Sequence, residues 1–214
     1  LGGIVDLSRL NQQVRTRMTT TLDDLDVVET KQWDALRAHV GPANRFNPRN
    51  ILEDLEERII KVGGAVEDLS SLEQYVYKKL KPKENFGTIA GSSEKILLSI
   101  DDPTFTLIDD VRRTVGAASK SRGELGATAD TGMAKLLYGL LDADVKDIAL
   151  ATGQRELYDT AKATTQTIVG LESDVISLFG KQVANSLVPD LTQSMGGLMK
   201  GDADTFIRLI NNVP

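Results

Sequence analysis

Apolar residues recur at helical spacing along most of this chain, and the longest such stretch runs from Met133 to Leu187 without a proline. Within it, Leu157, Ala161, Thr164, Ile168, Leu171, Val175 and Leu178 advance by alternating steps of four and three, the seam along which one helix winds against another. Leu137, Leu141, Val145 and Ile148 keep one face apolar in the earlier half. The stripe fades across Ala151-Thr152-Gly153-Gln154-Arg155, and a glycine inside a helix costs about 1 kcal/mol relative to alanine, so a bend is expected near Gly153. Residues 133–187 therefore read as one long returning helix or two stacked ones, ended by Val188-Pro189.

Two further stripes precede it. Leu7, Leu10, Val14, Met18, Leu22, Leu25, Val28, Trp33, Leu36 and Val40 advance by about 3.7 residues a step, close to the natural period of a straight helix, which predicts a helix from about residue 6 to 39 with Trp33 in the core. Gly41-Pro42 stops it, and Arg45-Phe46-Asn47-Pro48 reads as a turn. Asn50 then looks like an N-cap with Glu53 three residues later, opening a second helix along Leu52, Leu55, Ile59, Val62, Val66, Leu69, Val76 and Leu80. Glu73 is the polar lapse in that seam and Gly63-Gly64 a weak point. About thirty residues of helix span roughly 45 Å, so residues 6–80 are expected to form a helical hairpin. Lys78, Lys79, Lys81 and Lys83 lie where its second arm ends and complement the helix dipole.

The segment 85–132 is less regular and is expected to form an irregular helical appendage. Asn85 to Ser92 reads as a linker and Glu94 to Ile100 as a short helix. Asp102-Pro103 reads as the start of another helix, buried through Phe105, Ile108, Val111 and Val115. Residues 116–132 are small and polar and read as a loop. Met195-Gly196-Gly197 separates the long stretch from a short helix over residues 202–211 that carries Phe206 and Ile207 on its apolar side. The fold class predicted is all-α, an elongated antiparallel helical bundle in one domain.

Composition agrees with helices. The chain has 214 residues, of which 41% are hydrophobic but only 5% aromatic, so its core must be built from Leu, Ile, Val and Ala. The net charge of -6 argues against nucleic acid and against anionic lipid surfaces as partners. No run of about eighteen apolar residues exists, so no stable membrane span is expected. There is no cysteine, which excludes disulfides, thiolate metal sites and cysteine nucleophiles. A first residue of Leu1 rather than Met fits a removed signal peptide and a trimmed chain equally well.

Candidate chemistry is sparse. His39 is the only histidine, so neither a paired-histidine metal site nor a Ser-His-Asp arrangement has support, and its place at a helix C-terminus suits a dipole partner. Acidic clusters occur at Asp23/Asp24/Asp26, Glu53/Asp54/Glu56/Glu57, Asp101/Asp102, Asp109/Asp110 and Asp142/Asp144/Asp147. All are expected on solvated helix faces or caps. Asp142-Ala-Asp144 and Asp202-Ala-Asp204 lack the glycine and distal glutamate of a calcium loop, and no phosphate-binding glycine motif is present. No cofactor, no metal and no catalytic residue is therefore assigned. Aromatics in turns either tuck under a neighbour or serve as contacts, which makes Phe46 and Phe86 candidates for partner contact, with Phe206 and Ile207 beside them. Tyr75 and Tyr77 cannot both face one seam, so one is expected at the surface.

A bundle without catalytic groups reads as a structural or assembly subunit that binds protein partners or itself through helices. The start Gly2-Gly3-Ile4-Val5-Asp6, followed by a helix carrying Asn11-Gln12-Gln13-Val14, resembles the mature start of the minor pilus subunits of type IV secretion and conjugation systems. That resemblance implies a periplasmic or secreted protein with a long N-terminal helix, a helical appendage and a long returning helix. Where that family's C-terminal helix is rich in glutamine, this chain has Asp, Thr and Gly. Two alternatives stand beside it: a secreted all-α effector or toxin acting on a membrane, and a component of a phage or virus particle.

Overall fold

In the computed structural model, residues 7–88, 95–120 and 129–179 are described. Helix α1, Leu7–Val40, is followed by α2, Arg49–Val62, a single 3-10 turn at Val66–Asp68, and α3, Ser71–Leu80. Strands β1, Lys83–Thr88, and β2, Lys95–Asp101, come next, then α4, Phe105–Ser119, α5, Thr131–Ala151, and α6, Arg155–Phe179. Because 74% of the described residues are helical and the strands form only one two-stranded sheet, the fold is mostly helical. No helix among the described residues is long and apolar enough to cross a membrane.

The chain divides into two compact units, residues 35–158 and residues 1–34 with 159–214. The first has a continuous aliphatic core. Leu36 and Val40 of α1, Ile51, Leu52 and Leu55 of α2, and Leu72, Val76, Tyr77 and Leu80 of α3 are buried with Phe105, Ile108, Val111 and Val115 of α4 and Ala134, Leu137, Leu141, Val145 and Ile148 of α5. Each set recurs mainly at three- and four-residue steps, so every helix turns one stripe inward. Gly116 lets α4 approach α5 closely, since a Cβ there would sit 3.1 Å from the Tyr138 ring.

The second unit is held where the predicted seam of α6 runs. Ala161, Ile168 and Leu171 are buried, as is Trp33 on α1. The Trp33 indole donates to Glu29 at 3.3 Å and to Thr165 Oγ1 at 3.2 Å, and the Thr165 hydroxyl in turn donates to Glu29. A polar triad thus fixes the register of two apolar stripes that would otherwise slide. The stripe of α1 is not buried throughout, because Val28 is 43% exposed.

Several expected elements are corrected. The helix over 50–80 is two helices, because Gly63 at φ +143° and Gly64 at φ +91° take backbone conformations open mainly to glycine. The Gly64 N–H closes the end of α2 on the Ile59 carbonyl at 2.8 Å. A new helix then starts at Ser70 with a complete capping box: the Glu73 N–H reaches the Ser70 hydroxyl, and the Glu73 carboxylate accepts from the Ser70 N–H at 3.0 Å. Glu73, an apparent lapse in the seam, is the residue that begins α3.

Asn50 is not a cap. It lies inside α2, which Pro48 precedes, and its side chain takes no part in capping. The linker at 85–92 and the helix at 94–100 give way to an antiparallel hairpin running from Lys83↔Asp101 to Thr88↔Lys95. A short apolar run such as Ile96-Leu97-Leu98 carries no period that separates strand from helix. Thr104, not Asp102, caps α4 by accepting from the Leu107 N–H at 3.3 Å.

Of the expected loop 116–132, residues 116–119 belong to α4 and residues 131–132 to α5, which Asp130 caps through the Met133 N–H at 2.7 Å, and residues 121–128 lie outside the described residues. Of the two readings of the long stretch, residues 131–179 take the second, two helices, while residues 180–187 lie outside the described residues. Gly153 at φ +73° follows α5, the Gly153 N–H reaches the Leu150 carbonyl and the Gln154 N–H the Ala149 carbonyl, the paired closure of a helix that ends on a left-handed glycine. The expected stop at Val188-Pro189, the segment 195–197 and the helix over 202–211 lie outside the described residues.

Candidate functional site

The chemistry-bearing side chains of residues 35–158 gather in one buried network. Asp109, wholly buried on α4, takes the Arg37 Nε of α1 at 2.7 Å on one oxygen and Arg112 on the other, through Nε at 3.0 Å and Nη2 at 2.7 Å. Arg112 is three residues further along α4, one turn away and on the same inner face. Its Nη1 points at α5, to the Tyr138 hydroxyl at 3.3 Å and Asp142 at 3.4 Å, and its guanidinium lies 5.9 Å from the Tyr138 ring centre. Asp142 accepts from the Tyr158 hydroxyl at 2.8 Å.

Burial opposes the charge on Arg112, but Asp109, Tyr138 and Asp142 together raise its pKa above the ordinary arginine value. Burial, and then the Asp142 charge, push the Tyr158 phenol well above the usual tyrosine range, so it stays a neutral donor. Two arginines, two carboxylates and two phenols thus satisfy one another across α1, α4, α5 and the first turn of α6.

Asp144 does something different. It is buried on α5, and its two oxygens accept the Asn50 N–H at 2.9 Å and the Ile51 N–H at 3.1 Å. These are orphan donors of the first turn of α2, so a carboxylate more than ninety residues away supplies the cap that Pro48 cannot. Burial pushes its pKa up to about 6, against the lowering effect of those hydrogen bonds.

Asp109, Asp142 and Asp144 therefore correct the expectation that the acidic clusters lie on solvated faces. Spacing carried one signal of this: Asp109 and Asp144 fall on the buried stripes of α4 and α5, with the half-buried Asp142 beside them. Glu73 is similarly buried, held by Ser70 and by Arg58 at 3.6 Å. Among the described residues no group of three or more His, Cys, Asp or Glu is placed to hold a metal ion. His39 is exposed, and its Nδ1 lies 2.8 Å from the Ala35 carbonyl of its own helix.

The candidate contact residues separate. Phe46 is half-buried, edge-on to Phe105 at 6.3 Å, because its turn is strapped to the start of α4: its N–H reaches the Pro103 carbonyl at 3.0 Å and the Phe105 N–H reaches Asn44 at 2.8 Å. Phe86 is 54% exposed on β1. Around it on β2 lie Ile96, Leu97, Leu98 and Ile100, between 40% and 64% exposed. Phe206 and Ile207 lie outside the described residues. Tyr77 is buried and Tyr75 half-exposed, each under a lysine, Lys81 at 5.7 Å and Lys79 at 6.0 Å from the ring centres.

The network and the hairpin are opposite in kind. One is polar, internal and mutually satisfied; the other is apolar and faces water. Compared with protein-family models, with curated proteins and with solved structures, the chain matches none of them significantly.

Proposed function

We propose that this protein is a non-enzymatic assembly subunit that acts through protein contacts, outside the cytoplasm, in a secretion or conjugation pilus apparatus. The observation that carries the contact role is the exposed hairpin. Five large apolar side chains of the hairpin, Phe86, Ile96, Leu97, Leu98 and Ile100, are each at least 40% exposed, shared between its two faces, and apolar surface of this kind typically marks an interaction surface. A two-stranded hairpin is marginally stable by itself, so a partner that covers this one also stabilises it. The arginine-carboxylate network supports the same reading, because its groups are spent on one another. The placement in a pilus apparatus rests on the resemblance of residues 2–14 to minor pilus subunits.

The test is a photo-reactive phenylalanine analogue at Phe86, irradiated in cells that assemble the apparatus. Adducts to identified apparatus subunits are expected, together with loss of assembly in Phe86→Asp at unchanged helix content. Adducts only to lipid, or normal assembly by Phe86→Asp, would overturn the proposal.

A further inference from the structure

The outer edge of β2 matches itself. Among the described residues β2 pairs only with β1, so its other edge has no strand beside it. Its sequence is Lys95-Ile96-Leu97-Leu98-Ser99-Ile100-Asp101. If a second β2 lies antiparallel with Leu98 on the two-fold axis, Lys95 falls opposite Asp101, Ile96 opposite Ile100 and Leu97 opposite Ser99, each twice. Both ends then pair opposite charges, and Ile96–Ile100 and Leu98–Leu98 pair apolar side chains, combinations that stabilise neighbouring strands, while Leu97 faces the small Ser99. The edge of β1 has no such symmetry: reversed upon itself it sets Lys83 against Thr88 and Glu84 against Gly87.

Leu98 also stands apart locally. Asn85 pairs with Ser99 and Phe86 with Leu97, which leaves Leu98 as an extra residue with no partner in β1, and it is 64% exposed. It is thus the residue least committed to its own hairpin and the one at the centre of the symmetric pairing.

We propose that two copies of this chain associate through their β2 edges, giving a four-stranded antiparallel sheet in the order β1-β2-β2-β1 about a two-fold axis. This deepens the assembly role by naming one partner, a second copy, and rests on the contact reading of the hairpin. The pairing covers the open edge, the feature that otherwise invites unspecific strand addition. Seven residues of edge bury well under the roughly 800 Å² per partner of a stable interface, so the dimer forms at high concentration, on the order of 100 μM. Each copy carries a net charge of -6, so the experiment belongs near physiological salt, where repulsion between whole molecules is screened.

The chain has no cysteine, so Leu98→Cys places a single thiol per copy. Residues opposite one another in an antiparallel pair have Cα atoms about 4.5–5.5 Å apart, within disulfide reach. Under mild oxidation Leu98→Cys is expected to form a covalent dimer at least tenfold faster than Ile60→Cys, whose site on α2 is 77% exposed. Equal rates would overturn the proposal.

A charge exchange tests the register independently. Lys95→Asp and Asp101→Lys are each expected to sediment as monomers, while their equimolar mixture regains the dimer. Asp101 also accepts from Asn85 at 3.0 Å and lies 4.0 Å from Arg45, so the circular dichroism of each variant is compared with that of the parent. A mixture that stays monomeric, with both variants folded, would overturn the proposal. Apparatus adducts at Phe86 together with failure of both dimer tests would refute self-pairing alone, while the converse would refute the placement in a pilus apparatus and leave the dimer.

Discussion

Removal of the Asp109 carboxylate is expected to be the most damaging single change in residues 35–158. In Asp109→Ala, Arg112 loses its Nε and Nη2 contacts to Asp109, its two shortest, while the longer ones to Tyr138 at 3.3 Å and Asp142 at 3.4 Å stay, with its side chain 3% exposed. Arg37 also loses its contact with Asp109, but its side chain is 19% exposed and can recover water. Breaking a buried ion pair by removing one partner typically costs about 3–5 kcal/mol, and the loss of the closer carboxylate, rather than the small cavity, sets the size of the effect. Asp109→Asn keeps an acceptor but no charge and should cost about 1.5–3 kcal/mol.

The decisive comparison is Asp109→Leu with Arg112→Met. Replacing both partners by apolar residues removes the stranded charge, so the double variant should be more stable than the sum of the single losses by at least about 2 kcal/mol. Urea unfolding followed by far-UV circular dichroism measures each value. An Asp109→Ala loss below about 1 kcal/mol, or additive single changes, would refute the view that the network is a mutually dependent set.

Three further perturbations probe single features. For Asp144 the folded-state pKa of about 6 lies above the 3.8 of an ordinary aspartate, so its contribution to stability is fully present below pH 3.8 and is lost as pH rises through about 6. The difference in unfolding free energy between the parent and Asp144→Asn should therefore change by on the order of 2–3 kcal/mol between pH 4 and pH 7, favouring the parent at the acid end; a flat difference would count against a buried, titrating Asp144. Gly153→Ala puts a side chain at φ +73° where no neighbour lies within 4 Å, so backbone strain alone should cost about 1 kcal/mol and Gly153→Asn less, by thermal unfolding; equal stability of the alanine variant would sink this account. Ser70→Ala removes half of the capping box and should cost about 1 kcal/mol in the same assay, and an effect within 0.3 kcal/mol would show that α3 does not depend on its cap.

How much of this was legible in the chain differs by element. Helix α1 emerged within one residue at each end, because thirty-odd residues of unbroken period leave little else for the backbone to do. The break at Gly153 and the buried Ala161, Ile168 and Leu171 also followed from local pattern. Residues 50–80 were misread because a regular seam outweighed Gly63-Gly64 and Ser70-x-x-Glu73, although both are strong local stop and start signals. Exposure of Phe86 was one of two readings of an aromatic in an irregular segment, and its place in a strand was not visible at all.

The sequence by itself determined the helical class and the stripes that each helix turns inward, since these depend on spacing and backbone preference within a few residues. Only tertiary structure decided which acids went inside. Asp109 and Asp142 look like solvated-face residues until Arg37 of α1 reaches the first and Arg112 of α4 with Tyr158 of α6 reach the second, and Asp144 becomes a cap only because α2 begins against α5. A carboxylate's ordinary place is water, and what reverses that preference is a set of donors distant in sequence. The same holds for the hairpin, where strand won over helix through the cross-strand pairing of Lys83–Thr88 with Lys95–Asp101, a partnership that no local period records.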